Sequence, residues 1–177
     1  MTVVRTSRLV LEPCRPADRA DFVELERDPE VMRYLNGGEP VDRQRVDPDA
    51  TFLMPDGTES YVWTARQVAD AAFVGWFCLW PESDAVSELG YRLRRAAWGR
   101  GLATEGARAL VDWGFRNSAC DQIVARTMVL NQGSRRVLEK VGLTHTKTVP
   151  FKGKPYSGTE QGEVWYALSR ERWRSRS

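Results

Sequence analysis

The run from Ser87 to Gly106, SELGYRLRRAAWGRGLATEG, holds the residue types and spacing on which chemistry could be built. Glu88–Leu93 reads as a strand, with Tyr91 and Leu93 on one side. A loop follows, Trp98-Gly99-Arg100-Gly101-Leu102-Ala103. A helix comes next, because Ala103, Ala107, Leu110, Val111 and Phe115 form one stripe at helical spacing. Glycines and alanine at a helix start leave backbone N–H groups uncovered by side chains. The first N–H groups of a helix have no internal partner, and the helix dipole is positive there. Such a place suits an anion, most often a phosphate. The same glycines could also serve only to turn the chain.

A second constellation lies downstream: Asn131-Gln132-Gly133-Ser134-Arg135-Arg136-Val137-Leu138-Glu139-Lys140-Val141-Gly142-Leu143. It reads as a short helix ended by Gly142. Asn131 is a good N-cap. Ser134 follows three residues later, so the two face the same way.

Taken together, the two runs resemble the GNAT superfamily of acyl-CoA-dependent N-acyltransferases. The superfamily's phosphate loop is Gln/Arg-x-x-Gly-x-Gly/Ala, and here Trp98 stands at its first position. The run Trp98 to Glu105, WGRGLATE, looks like the subgroup resembling ribosomal-protein alanine N-acetyltransferases. The segment from Asn131 matches that subgroup's N-x-x-S-x-x-V-x-E-K-x-G-F/L pattern, and Gly158 to Trp173 resembles its closing strand. The resemblance extends from Thr6 to Trp173. It implies an acetyl-CoA:amine N-acetyltransferase acting by direct attack in a ternary complex, with acetyl-CoA as co-substrate and no metal.

The residue roles follow from that resemblance. Backbone N–H groups of Gly99, Arg100, Gly101, Leu102, Ala103 and Thr104 would take the pyrophosphate. Tyr91, Arg92 and Leu93 would offer backbone groups to the pantetheine arm, and a free N–H among them would hold the oxyanion. Asn131 would bond the same arm, or act only as a cap. Many superfamily members carry a tyrosine acid seven positions after that asparagine. Here that position is Leu138, which leaves the Ser134 hydroxyl as the first choice for general acid, as in the resembled subgroup, or as a residue that only decorates the first turn. Glu88 is the candidate general base, since a carboxylate at a strand end beside a cleft can have its pKa raised by burial, or it is only a solvated strand-end charge. Glu160 is the reserve base, or no residue serves. Arg94, Arg95, Arg135 and Arg136 could meet the cofactor's 3′-phosphate or stay exposed without a role. His145, the single histidine, reads as structural.

Composition bounds the rest. A chain of 177 residues suits one domain, 1–177 with a core of about 6–173, and 42% hydrophobic content is enough for a proper core. With 26 Lys and Arg against 24 Asp and Glu, the net charge of +2 argues for no nucleic-acid partner. Cys14, Cys78 and Cys120 are far apart, form no metal spacing and read as reduced thiols. No apolar signal core or membrane-length run is present, so no membrane partner and a cytoplasmic location are expected. The partners are then acetyl-CoA and an amine acceptor, either a small molecule or a protein N-terminus, with a homodimer compatible. A different class of protein, a non-catalytic acyl-CoA-binding or regulatory domain, would keep the same cleft.

The elements that must position these residues read in the order β-α-α-β-β-β-α-β-α-β-β. Strands are expected at Arg8–Pro13, Tyr61–Arg66, Phe73–Trp80, Glu88–Leu93, Gln122–Leu130, Thr144–Phe151 and Glu163–Leu168. Asp28-Pro29 caps and opens a short helix carrying Val31, Met32 and Leu35, after one carrying Phe22 and Leu25. Residues 39–60 are the least legible; Pro48 would interrupt the longer helix that the subgroup uses there to wall its acceptor pocket. The tail RERWRSRS reads as frayed. The fold class is α/β (α+β): one mixed, mostly antiparallel sheet with helices on both faces. The resemblance implies a central parallel pair, Glu88–Leu93 and Gln122–Leu130, that splays apart.

Overall fold

In the computed structural model, which describes residues 2–39 and 55–176, one eight-stranded sheet organises the chain. The strands are β1 (Val4–Arg5), β2 (Leu9–Pro13), β3 (Val62–Gln67), β4 (Phe73–Pro81), β5 (Val86–Leu93), β6 (Gln122–Met128), β7 (Thr144–Val149) and β8 (Glu163–Ser169). Their spatial order is β1-β2-β3-β4-β5-β6-β8-β7. Every neighbouring pair is antiparallel except β5 and β6. The expectation about the helix near Pro48 lies outside the described residues.

Alternation along β4 sorts the helices onto two faces. Trp76 and Cys78 pack with Phe22 and Leu25 of α1 (Arg19–Arg27) and Val31 of α2 (Pro29–Asn36). Phe77 and Leu79 pack on the opposite face with Leu102, Ala107, Leu110, Val111 and Phe115 of α3 (Leu102–Asn117) and Leu138 and Val141 of α4 (Gln132–Val141). Close approach of α3 to β4 requires a missing side chain. A Cβ on Gly106 would stand 2.3 Å from Phe77 Cζ.

The sequence signals act as their chemistry dictates. Asp28 caps α2 by accepting from the Glu30 N–H at 3.0 Å, with Pro29 next in the first helical turn. Gly142 ends α4 in the left-handed region at φ 98°. The β3–β4 turn is closed by Ala71 N–H on the Gln67 carbonyl (3.0 Å) and by Asp70 Oδ1 accepting from Ala72 N–H (3.0 Å).

The C-terminal tail corrects the expectation of fraying. Arg170–Arg174 form a fifth helix, α5, capped by Ser169, whose side chain accepts from the Arg172 N–H. Trp173 stacks near Phe115 with ring centroids 5.3 Å apart, and its indole N–H reaches Asp112 Oδ1 at 2.6 Å. Arg170 donates to the Cys120, Ser118 and Phe115 carbonyls at the C-terminal end of α3. A run with four arginines reads as solvated, but here its cations cap carbonyls that α3 cannot satisfy itself.

Candidate active site

The site forms where the two central strands part. Between β5 and β6 the register holds only for Val86↔Gln122, Ser87↔Ile123 and Glu88↔Val124. Beyond Glu88 the two strands share no further pairs. Backbone alternation decides which groups this leaves open. Leu79 N–H bonds the Tyr61 carbonyl, so odd-numbered residues of β4 face β3 and Cys78 faces β5. Cys78 pairs with Gly90, and therefore Tyr91 and Leu93 direct their N–H and C=O groups away from β4, into the splay. Trp98 occupies one of them: its indole N–H donates to the Leu93 carbonyl at 2.8 Å.

A cavity of about 670 Å³ runs through this opening. Its walls include Trp76 and Cys78 from the α1–α2 face and Ala103, Ser134 and Leu138 from the α3–α4 face. The opening therefore connects the two faces of the sheet. Glu88, Tyr91, Arg92, Leu93, Gly99, Ala103, Asn131 and Ser134, all singled out in the sequence, line it together. Arg100, Gly101, Leu102 and Thr104 belong to the adjoining loop and helix start. Gly99 and Gly101 adopt φ of 70° and 78°, in the left-handed region that favours glycine. Leu102 points the other way, into the core.

Arg92 lines the cavity by its side chain, on the α1–α2 face. Its guanidinium lies 3.6 Å from the Glu26 carboxylate and 5.1 Å from the centre of the Trp76 ring. Its backbone faces β4 by the same alternation, so it stands apart from Tyr91 and Leu93 as a donor to the opening.

At the start of α4, Asn131 caps the helix: Oδ1 accepts from Ser134 N–H at 3.1 Å. The cap fixes the side chain so that its Nδ2 donors remain for another partner. The Ser134 hydroxyl lies 3.0 Å from the Tyr91 hydroxyl, which also donates to the Ser134 carbonyl at 3.2 Å. Burial pushes the Tyr91 phenol well above its usual pKa, despite the Ser134 bond, so it stays a neutral donor.

Glu88 sits on the other side of the sheet, 7% exposed. Burial raises its pKa above the ordinary carboxylate value, opposed by Arg126, whose Nε donates to Oε1 at 3.0 Å. Glu160 is placed differently. It is exposed, accepts from Gly158 N–H at 2.9 Å and is absent from the cavity wall. The carboxylate that this region contributes to the wall is Glu163. Arg94 and Arg95 pair with Glu24 and Asp28 at 3.3 and 2.8 Å. Arg135 donates to Tyr166 and the Val129 carbonyl, each at 3.2 Å. His145 lies exposed on the edge strand β7, 3.1 Å from Thr148 Oγ1.

Sequence reasoning missed the aromatic wall on the α2 side. Tyr34, Phe151 and Tyr156 line the cavity there. Tyr156 packs against Gly37, where a Cβ would meet its own Cβ at 2.8 Å, and Phe151 meets it edge-on at 5.5 Å. Burial and the nearby Glu163 push the Tyr156 phenol up to about 12. Two aromatics in an otherwise polar loop, Phe151 and Tyr156, were the available signal.

A splayed parallel pair with open backbone groups, a glycine loop at a helix start and a cavity joining both faces define a cleft for an extended phosphorylated ligand and a second reactant. The family model described as an acetyltransferase (GNAT) domain matches residues 8–144. The FsC-acetyl coenzyme A-N(2)-transacetylase of Aspergillus fumigatus is 33% identical over 96% of this chain and 77% of its own length. The uncharacterized protein YkkB of Bacillus subtilis is 31% identical over 90% of this chain and 95% of its own length. Among solved structures, a GNAT-family acetyltransferase from Bacillus anthracis superposes with a TM-score of 0.80 at 22% identity, covering 96% of this chain and 99% of the other. The chain belongs to the GNAT acetyltransferase family. It is an acetyl-CoA-dependent N-acetyltransferase, which sets aside the reading as a non-catalytic domain. Among the described residues no group of His, Cys, Asp and Glu could hold a metal ion, and no helix is long and apolar enough to cross a membrane.

Proposed function

We propose that acetyl-CoA enters from the α3–α4 face, the amine enters from the α1–α2 face, and the two meet in the opening between β5 and β6. The observation that carries this reading is the cavity itself, which brings Glu88 and Ser134 from opposite faces of the sheet to one space. Backbone N–H groups from Gly99 to Thr104 take the pyrophosphate, where the positive end of α3 and the left-handed glycines leave them uncovered. Pantetheine bonds to Tyr91 and Leu93 as an extra strand, and the Asn131 Nδ2 donates to it while Oδ1 stays on the cap.

The chemistry then divides among named groups. Glu88 removes the proton that would keep the amine from attacking, and its raised pKa suits it to a base near neutral pH. The amine nitrogen bonds the thioester carbon, and the carbonyl oxygen takes the electron pair. A backbone N–H at Tyr91 or Leu93 stabilises that charge. As the C–S bond breaks and the carbonyl reforms, the Ser134 hydroxyl, held in place by the Tyr91 hydroxyl, protonates the leaving thiolate, and the second proton shed by the nitrogen as it becomes an amide restores the serine. The acceptor is a primary amine of a small molecule or a protein N-terminus. The name of the Aspergillus relative specifies an N(2) amine. The motif run of the subgroup resembling ribosomal-protein alanine N-acetyltransferases points to an α-amine as well.

A thiol-release assay over a panel of amines tests the reading. CoA should appear in proportion to an accepted amine, and α-amino compounds should rank first. Release that is independent of every amine added would overturn it.

A further inference from the structure

Arg8, at the foot of β2, reaches the phosphate loop and plays no part in the chemistry above. Its Nη1 donates to the Arg100 carbonyl at 2.9 Å. Its Nε and Nη2 lie 2.7 and 2.6 Å from Glu105 Oε2. The other carboxylate oxygen, Glu105 Oε1, accepts from Thr6 Oγ1 at 2.6 Å, Arg8 N–H at 2.9 Å and Ser7 Oγ at 3.1 Å. Glu105 lies in the first turn of α3, and its own N–H bonds back to the Gly101 carbonyl at 3.0 Å. A Cβ on Gly101 would stand 3.5 Å from Arg8 Nη2. One guanidinium therefore spans the loop and the helix it opens.

Peptide geometry gives this contact a consequence. In a planar trans peptide the C=O of one residue and the N–H of the next point in opposite directions. Holding the Arg100 carbonyl on the Arg8 side turns the Gly101 N–H to the other side of the loop. Arg8 is outside the cavity wall, whereas Gly99 and Ala103 are part of it. The clamp thus fixes the orientation of a donor aimed at the ligand. It also compensates a carboxylate that sits one turn from where a phosphate would bind. Burial pushes Glu105 up, and the hydrogen bonds from Thr6 and Arg8 outweigh it, leaving the group below the ordinary carboxylate range.

We propose that Arg8 is a cofactor-positioning residue: its clamp between Glu105 and the Arg100 carbonyl presets the loop N–H groups for the CoA pyrophosphate. This rests on the reading of Gly99–Thr104 as the pyrophosphate loop. A lysine cannot replace it, since one ammonium lacks the planar fork that bridges a carbonyl and a carboxylate at once.

The test compares two acyl donors with one accepted amine. Acetyl-CoA carries the pyrophosphate and S-acetylpantetheine does not. In wild type, KM for acetyl-CoA should be far lower; equal KM values would overturn the loop reading and the clamp with it. Arg8→Ala should raise KM for acetyl-CoA about tenfold, the order expected for losing one charge-assisted hydrogen bond. Its kcat, and kcat/KM for S-acetylpantetheine, should stay within about twofold, a donor-specific split that a general loss of packing does not produce. Arg8→Lys should resemble Arg8→Ala. Given wild-type discrimination, equal loss on both donors, no loss, or full rescue by lysine each overturns the clamp alone. If Arg8→Ala fails to fold, Glu105→Gln releases Arg8 while keeping acceptor bonds to Thr6 and Ser7, and the same split applies.

Discussion

Ser134→Ala separates catalysis from structure most cleanly, because the surroundings of Ser134 keep their partners after the change. The hydroxyl makes one hydrogen bond, 3.0 Å to the Tyr91 hydroxyl. The Tyr91 hydroxyl retains the Ser134 carbonyl at 3.2 Å, and Ser134 N–H retains Asn131 Oδ1 at 3.1 Å. No buried polar atom is orphaned. The loss is one neutral hydrogen bond, roughly 0.5–1.5 kcal/mol net. Alanine recovers about 0.5 kcal/mol of helix propensity within α4. The net change should stay within about 1 kcal/mol, which for a chain of this size moves the melting temperature by roughly 2–4 °C at most. Turnover should fall far more, about 10²–10⁴-fold, because the thiolate leaves without a proton donor. CoA affinity should barely change. Thiol release under saturating donor measures the turnover, calorimetry with CoA the affinity, and a thermal melt the stability. A folded variant with wild-type turnover would refute the acid role. A turnover loss matched by an equal loss of CoA affinity would refute the separation.

Other outcomes follow from the same geometry. Glu88→Gln should lower the rate across the accessible pH range, with partial recovery at high pH as free amine grows, and leave CoA affinity intact, while Glu160→Gln, outside the cavity, should be silent; the reverse pattern in pH–rate profiles would move the base. Because burial raises the folded-state pKa of Glu88, its stabilising contribution is full below the unfolded carboxylate pKa and is lost as pH rises through the folded value. Glu88→Gln should therefore gain stability relative to wild type as pH rises through that window, read by denaturant titration across pH. Gly101→Val should cost CoA affinity more than folding: at φ 78° a side chain is strained by about 1–2 kcal/mol, and its branches press on Arg8, whose Nη2 lies 3.5 Å from that Cβ, so the loop N–H groups lose their orientation. Gly106→Ala should destabilise the fold by about 1–3 kcal/mol through overpacking against Phe77, and a melt unchanged from wild type would contradict the α3–β4 contact.

Elements with strong local chemistry were legible in the sequence. The cap at Asp28-Pro29, the glycine loop before α3 and the period of α3 each act through neighbours a few residues away. The splay was legible only through the resemblance, since nothing local in β5 says that its pairing with β6 stops at Glu88. β1, two residues long, is too short for any period to register. The α5 helix was hidden because its five residues carry three arginines, and Arg170, which ties it down, bonds carbonyls more than fifty positions away. The same distance concealed the clamp: Arg8 and Glu105 are 97 positions apart, and only the fold brings them together. Trp98 departs from the superfamily pattern, and its role on the Leu93 carbonyl follows from a side-chain geometry that spacing does not encode. The aromatic wall was hidden for a related reason. The interruption expected at Pro48 lies outside the described residues, and Tyr34, Phe151 and Tyr156 reach the cavity from segments far apart in the chain.

A crystal structure with CoA bound tests the central claim most directly. The account predicts pyrophosphate oxygens within about 2.7–3.2 Å of backbone N–H groups between Gly99 and Thr104. It also predicts the pantetheine arm bonded to Tyr91 in the opening beyond Glu88, with the sulfur beside Ser134. CoA bound away from the opening between β5 and β6, or with its phosphates clear of the loop, would contradict it.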